Sequence, residues 1–96
     1  AALVQLGDTR RALMYSDRAI AVETTHGSFA SAWWARGSAL LALGRTDEAM
    51  DAFDEAIARN LGGYYARLSY LDRASILEAA GDDAGAAEER VKAAQF

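Results

Sequence analysis

The feature that most constrains this chain is an internal repeat. Gly7, Gly44 and Gly81 are each 37 residues apart (44 − 7 = 37 and 81 − 44 = 37). Two further columns keep that period: Ala12, Ala49 and Ala86, and Ala19, Ala56 and Ala93. A period of about 20 to 50 residues is typical of folds in which one supersecondary unit stacks on the next. The sequence therefore predicts a stack of similar units.

Each unit is predicted to contain two helices, A and B, joined at its glycine. Trp33, Gly37 and Leu40 share one face of a helix A that is expected from about residue 28 to 43. Glycine adopts the left-handed conformation that closes a helix, so Gly44 is expected to end it. The chain has no proline to interrupt a helix. The predicted helix breaks lie near Gly7, Thr25–Gly27, Gly44, Gly62 and Gly81.

The 96 residues are enough for one small domain. We expect a single domain of about two and a half repeats, with a partial repeat at 1–26, a second at 27–63 and a third at 64–96. The first unit is predicted to keep a short end of helix A before Gly7 and a complete helix B after it. The fold class is thus all-α, with antiparallel neighbouring helices. Because the chain begins inside a predicted helix, we expect it to be part of a longer protein.

Composition excludes several function classes. The net charge is −4, whereas nucleic-acid binding requires clustered Lys and Arg. Without cysteine, and with His26 as its one histidine, the chain offers no zinc ligand set. No apolar run approaches the roughly 18 residues of a membrane span. We therefore expect no metal, cofactor, nucleic acid or membrane, and a cytoplasmic location.

No catalytic arrangement is visible in the sequence. Helix B of the second unit is rich in acidic residues, but most of them lie opposite Ala49 and Phe53 and are expected to form a solvated face. His26 has no acid or nucleophile at a motif spacing. The chain is therefore predicted not to be an enzyme.

Two pairs of residues carry further predictions. Arg36 and Arg73 each follow an aspartate of the preceding helix B by 19 residues (36 − 17 = 19 and 73 − 54 = 19), which predicts the ion pairs Asp17–Arg36 and Asp54–Arg73. Neighbours on a helix point about 100° apart. Trp33 is therefore predicted to be buried and Trp34 distinctly more exposed, either as a binding anchor or packed on the preceding unit.

The residues in these columns resemble the tetratricopeptide repeat. The second unit matches that pattern best, with Trp33, Gly37, Leu40, Gly44, Ala49, Phe53 and Ala56. The third unit matches with Tyr70, Ala74, Leu77, Gly81, Ala86 and Ala93, and the first with Leu3, Gly7, Ala12 and Ala19. The family repeat is about 34 residues long, whereas this one is 37 and lacks the closing proline. Arg36 and Arg73 replace a typical leucine, and Ser16 and Arg90 stand where Phe53 fits.

The resemblance implies a right-handed superhelix whose helices A line a concave groove that binds a protein or peptide. The matching groove positions are Trp34, Ser38, Leu41, Leu71, Ser75 and Glu78, with Val4 and Gln5 from the first unit. Apolar anchors, with a basic group for Glu78, would suit this strip. The alternative is an effector-sensing or self-associating arm of a larger bacterial signalling or transcription regulator, with homo-oligomers formed through exposed apolar helix faces.

Overall fold

The computed structural model describes the backbone of residues 2–26, 30–59 and 63–95, and the side chains of these ranges except 2–6 and 22–26. Within these ranges the chain is entirely helical, without a strand, which confirms the all-α prediction. Consecutive helices pack against one another, and α2 also contacts α4. The five helices are α1 (Ala2–His26), α2 (Ala30–Ala42), α3 (Thr46–Arg59), α4 (Tyr64–Ala79) and α5 (Asp83–Ala94).

The two complete hairpins, α2–α3 and α4–α5, are closed by the same turn. Gly44 and Gly81 both have positive φ, at 79° and 88°. In each turn the residue after the glycine donates its N–H to a carbonyl five positions earlier, from Arg45 to Leu40 at 2.9 Å and from Asp82 to Leu77 at 2.8 Å. Such bonds satisfy carbonyls that a helix end leaves without a partner. The predicted breaks at these two glycines are confirmed.

The helix α5 begins at Asp83 and is capped by the residue before it. Asp82 occupies the N-cap position, and its Oδ1 accepts a hydrogen bond from the N–H of Gly85 at 2.9 Å. The helix α1 is described as far as His26, so the predicted break at Thr25–Gly27 lies at the edge of the described residues. Residues 27–29 and 60–62, including the predicted helix start at Ser28 and the break at Gly62, lie outside the described residues.

The predicted break at Gly7 is wrong, because α1 continues through it as one helix of 25 residues. A glycine inside a helix costs about 1 kcal/mol relative to alanine, which weakens a helix without ending it. Unlike Gly44 and Gly81, Gly7 is not among the glycines with positive φ, so the helical backbone continues through it.

The α2–α3 hairpin contains the apolar core of the molecule. Leu40, Ala49 and Phe53 have no exposed surface, and Ala52 packs with them. Gly37 lies against the Phe53 ring so closely that a Cβ atom there would be 2.5 Å from Phe53 Cε1. Because glycine has no side chain, residue 37 leaves room for the aromatic ring of Phe53.

The α4–α5 hairpin buries polar groups at positions where α2–α3 has apolar residues. Ser69 and Glu89 are almost fully buried, and Arg73 donates to Glu89 Oε1 at 3.1 Å. Three buried polar atoms, Ser69 Oγ, Arg73 Nε and Glu89 Oε2, have no hydrogen-bond partner among the described residues. The interior of this hairpin is consequently much more polar than that of α2–α3.

The units are joined by repeated ion pairs. Arg36 of α2 pairs with Asp17 of α1, and Arg73 of α4 pairs with Asp54 of α3. Both pairs confirm the prediction that was made from their common spacing. Each links a helix B to the following helix A, so the same electrostatic contact marks both junctions between units.

Candidate functional site

The candidate site lies where α2 and α4, the two helices A, pack side by side. Trp34 of α2 points towards α4, where its Nε1–H donates to Asp72 Oδ2 at 2.8 Å. The Trp34 ring also contacts Tyr65, with ring centroids 5.7 Å apart and the planes tilted by 47°. Trp34 therefore packs on the following unit.

The prediction that Trp33 is buried is wrong, because it is half-buried, as Trp34 is, and both pack against the apolar core. The guanidinium of Arg59 lies over the Trp33 ring, 5.0 Å from the ring centroid. The two indoles do point to different surroundings, as neighbours on a helix must. Trp33 contacts Arg59 of α3, and Trp34 contacts Tyr65 and Asp72 of α4, so each indole is partly covered by a different helix.

Leu41 is the second groove residue of α2, and it lies beside a shallow depression. It is half-buried and packs against the core together with Ile76 of α4. The depression has a volume of about 280 Å³ and is lined by these two residues with Thr46, Ala79 and Ala80. This apolar hollow lies at the Gly44 and Gly81 ends of the two helices A. Ser38, between Trp34 and Leu41 in sequence, is half-buried.

The three predicted groove residues of α4 are exposed. Leu71, Ser75 and Glu78 are spaced four and three residues apart, which places them on one helix face. Leu71 is 37% exposed, and the Ser75 hydroxyl donates to the Leu71 carbonyl at 3.3 Å. Glu78 forms an ion pair with Arg90 of α5. The predicted strip thus consists of a half-buried part on α2 and an exposed part on α4. The side chains of Val4 and Gln5 lie outside the described part of the chain.

Sequence reasoning missed Tyr65 and Asp72, which belong to the same junction. Partial burial raises the pKa of Asp72 above the usual range of an aspartate, and the hydrogen bond from Trp34 opposes that rise. Tyr64, which is 66% exposed, meets the Tyr65 ring edge-on at 5.2 Å. Tyr65 and Asp72 are seven residues apart and share a helix face, so their spacing alone could have indicated a common surface.

A second cleft, of about 580 Å³, lies between α1, α2 and α3. It is lined by five carboxylates together with Trp33 and Ile20. Four of these carboxylates are already ion-paired, Asp17 with Arg36, Asp54 with Arg73, Glu48 with Arg45 and Glu55 with Arg59. In the described ranges no group of histidine, aspartate and glutamate side chains is arranged to hold a metal ion.

A third cleft, of about 460 Å³, lies between α1 and α2. Small residues form its floor, and Tyr15 of α1, which is 60% exposed, lies at its edge. The lining is Tyr15, Ser16, Ala19, Ser31, Ala32 and Ala35. None of the helices in the part of the chain described here is long and apolar enough to cross a membrane.

Comparisons with known proteins agree with the repeat architecture. Searches of curated protein sequences and of solved structures gave no match. The tetratricopeptide repeat model matches residues 2–64, which include α1, α2, α3 and the first residue of α4. That match covers more than half of the 96 residues and includes the hairpin with the Gly37–Phe53 contact. The chain therefore belongs to the tetratricopeptide repeat family.

Proposed function

We propose that this chain is a non-catalytic scaffold that binds a peptide segment of a partner protein across α2 and α4. Tetratricopeptide repeats generally mediate protein–protein interactions. The observation that carries the proposal is the exposed face of α4 beside the apolar hollow at Leu41 and Ile76. An apolar surface of this kind on a folded protein commonly marks an interaction site.

The chemistry of this surface favours a segment with apolar anchors. Leu71 offers an exposed apolar side chain, and the hollow beside Leu41 accepts a small apolar group. The Ser75 hydroxyl bonds its own helix backbone, so it adds little beyond a polar rim. A peptide that lies along the surface would bury these groups and gain from their removal from water.

The test uses exposed positions, because Trp34 and Leu41 pack on the core and their replacement would also weaken the fold. A random peptide library is selected against the wild-type domain, and the peptides obtained are measured against Leu71→Glu. We expect at least a tenfold loss of affinity, roughly the effect of losing a central apolar contact.

Val91→Glu is the matched control, since Val91 is 61% exposed on α5, away from the α2–α4 junction. It places the same charge on an exposed apolar site and should leave peptide affinity unchanged. A selection that yields peptides insensitive to Leu71→Glu and sensitive to Val91→Glu would move the binding site to α5 and end the proposal.

Self-association is the second candidate function, and the cleft between α1 and α2 favours it. The small residues that line this cleft and the exposed Tyr15 fit the apolar face of a helix from another copy. Light scattering over a concentration series measures the molar mass of the wild type and of Tyr15→Glu. A mass that rises with concentration in the wild type alone would support this candidate, and a constant monomer mass in both would dismiss it.

A further inference from the structure

Asp72 differs from the other carboxylates that the structure describes. Four of these other carboxylates each have a guanidinium partner, namely Asp17, Asp54, Glu55 and Glu89. Asp72 is half-buried, and the only partner that the structure gives it is the neutral Trp34 indole N–H. Within the described ranges it is therefore a half-buried carboxylate without an ion pair.

The rings beside this carboxylate form a connected series. Tyr64 contacts Tyr65, Tyr65 contacts Trp34, and Trp34 is hydrogen-bonded to Asp72. A cation is attracted to the face of an aromatic ring within about 6 Å of its centroid, most strongly to tryptophan. The same packing already occurs twice elsewhere in the molecule, with Arg59 over Trp33 at 5.0 Å and Lys92 over Tyr70 at 6.0 Å.

We propose that Trp34, Tyr65 and Asp72 form a subsite for the side chain of a lysine or arginine in the partner's peptide segment. This inference rests on the proposed function, because the subsite lies at the same α2–α4 junction. The partner's cation would bond the carboxylate oxygen of Asp72 that Trp34 leaves free, as a charge-assisted hydrogen bond. Its aliphatic stem would lie along the aromatic rings.

The cost of leaving Asp72 without a cation supports this assignment. Partial burial makes the ionised carboxylate unfavourable, since a charge removed from water requires compensation. The raised pKa of Asp72 has the same cause. A cation that arrives with the partner would supply the missing compensation and would be bound more tightly for that reason.

Two nearby charges of α4 provide no alternative: one could have received the partner's cation, and the other could have supplied a cation to Asp72. Glu78, which we expected to receive a basic group, is already paired with Arg90. Arg67 is exposed on α4, but it lies five positions before Asp72, which is about 140° around the helix. Since no ion pair among the described residues includes Asp72, the cation would come from the partner.

The experiment compares the peptides that a random library yields against three forms of the domain. Wild type should select lysine or arginine at one position of the binding peptides. Asp72→Asn should remove that selection, because the amide oxygen still accepts from Trp34 while the negative charge is gone. Asp51→Asn, an exposed aspartate of α3, makes the same change in net charge and should preserve the selection.

A selected arginine peptide is then remade with citrulline, which has nearly the same shape and no charge. We expect wild type to bind the citrulline peptide about tenfold more weakly, because hydrogen bonds to charged groups contribute more than neutral ones. Asp72→Asn should bind both peptides equally. In two-dimensional NMR spectra, the Trp34 indole N–H signal should shift more with the arginine peptide than with the citrulline peptide.

Each outcome has a separate meaning. Peptides that bind through Leu71 and show no preference for a basic residue would overturn the cation subsite and leave the proposed function standing. A basic preference that persists in Asp72→Asn would also overturn it. A library that yields no binding peptide would overturn both proposals together.

Discussion

The two complete hairpins share a backbone and differ in what they bury. Residues related by the 37-residue period occupy equivalent places: Phe53 corresponds to Arg90, Ala52 to Glu89 and Ala32 to Ser69. In α2–α3 the first member of each pair is a buried apolar residue. In α4–α5 the second member is polar, and Glu89 and Ser69 remain buried.

The comparison separates the residues that define the hairpin from those that fill it. Both hairpins keep the positive-φ glycine and the small residue of helix A, which is Gly37 in one and Ala74 in the other. These residues set the turn and the distance between the helices. The interior is free to vary, and the tetratricopeptide repeat match ends at residue 64, before the polar hairpin. We expect α2–α3 to supply most of the stability, and α4–α5 to be the weaker unit.

The largest expected effect comes from the position at which the hairpins differ most. Phe53→Ala should lower the free energy of unfolding by about 3–5 kcal/mol, because it empties a fully buried aromatic site. The equivalent change, Arg90→Ala, removes a half-exposed side chain and its pair with Glu78, which should cost at most about 1 kcal/mol. Urea unfolding followed by circular dichroism measures both. Similar losses would show that the two interiors contribute equally.

The second prediction concerns the two arginines that join the units. Arg73→Met should cost about 3 kcal/mol, because it leaves Glu89 buried without its guanidinium. This is the low end of the usual range for a broken buried pair, since Lys92 Nζ still lies 3.9 Å from Glu89 Oε1. Arg36→Met removes only a partly exposed pair with Asp17 and should cost about 1 kcal/mol or less.

A double variant checks the cause of that difference. Adding Glu89→Ala to Arg73→Met gives α5 the residue that α3 has at Ala52, and it removes the buried charge. Most of the lost stability should return in chemical denaturation. No recovery would mean that Arg73 acts through its pair with Asp54 or through its aliphatic stem.

The third prediction concerns the small residue on helix A. Gly37→Ala should destabilise the protein by about 1–3 kcal/mol, because the new Cβ would overlap the Phe53 ring. The double variant Gly37→Ala/Phe53→Leu replaces that ring by a smaller side chain. In the Phe53→Leu background, the alanine at position 37 should therefore lower the free energy of unfolding by less than it does in the wild-type background. Ala74→Gly at the equivalent position should cost about 1 kcal/mol through helix propensity and roughly 1 kcal/mol more through the loss of a fully buried methyl group. Thermal unfolding measures all of these variants. A stabilising Gly37→Ala would contradict the packing described for α2–α3.

The smallest effect is expected at Asp72. Its pKa is raised in the folded state, so the folded protein binds its proton more tightly than the unfolded chain does. The contribution of Asp72 to stability therefore falls as the pH rises from the ordinary aspartate pKa through the raised one. Asp72→Asn should match wild type in acid and be slightly more stable at neutral pH, by about 0.5 kcal/mol or less for such a half-exposed site. Melting temperatures across this pH range test the prediction, and a less stable variant at neutral pH would contradict it.

The periodic part of the fold was predictable from the sequence. The glycine turns are local, because positive φ and the adjoining hydrogen bonds depend on a few neighbouring residues. The ion pairs Asp17–Arg36 and Asp54–Arg73 were predictable because one spacing occurs twice, so a single geometry had to satisfy both. The continuation of α1 through Gly7 was not predictable from that residue, since a glycine is compatible both with a helix interior and with a helix end.

The candidate site was only partly predictable for a related reason. Trp34 and Asp72 meet across 38 residues of sequence, and their contact depends on how closely α2 and α4 approach. The residue equivalent to Asp72 in α2 is Ala35, so the repeat gives no second instance to compare. The spacing of Leu71, Ser75 and Glu78 did identify an exposed face. It did not reveal that Glu78 is already paired with Arg90.

The repeated ion pair has a consequence for how the molecule could be lengthened. In the segment 27–63, Arg36 pairs with an aspartate of the preceding unit, and Asp54 pairs with an arginine of the following unit. The two ends of the segment are therefore complementary to each other. A duplicate of this segment, inserted after residue 63, would meet a matching charge on both sides. The position equivalent to Asp54 in α5 is Val91, which offers no carboxylate. In the language of polymer chemistry, 27–63 is a monomer that can be added within the chain.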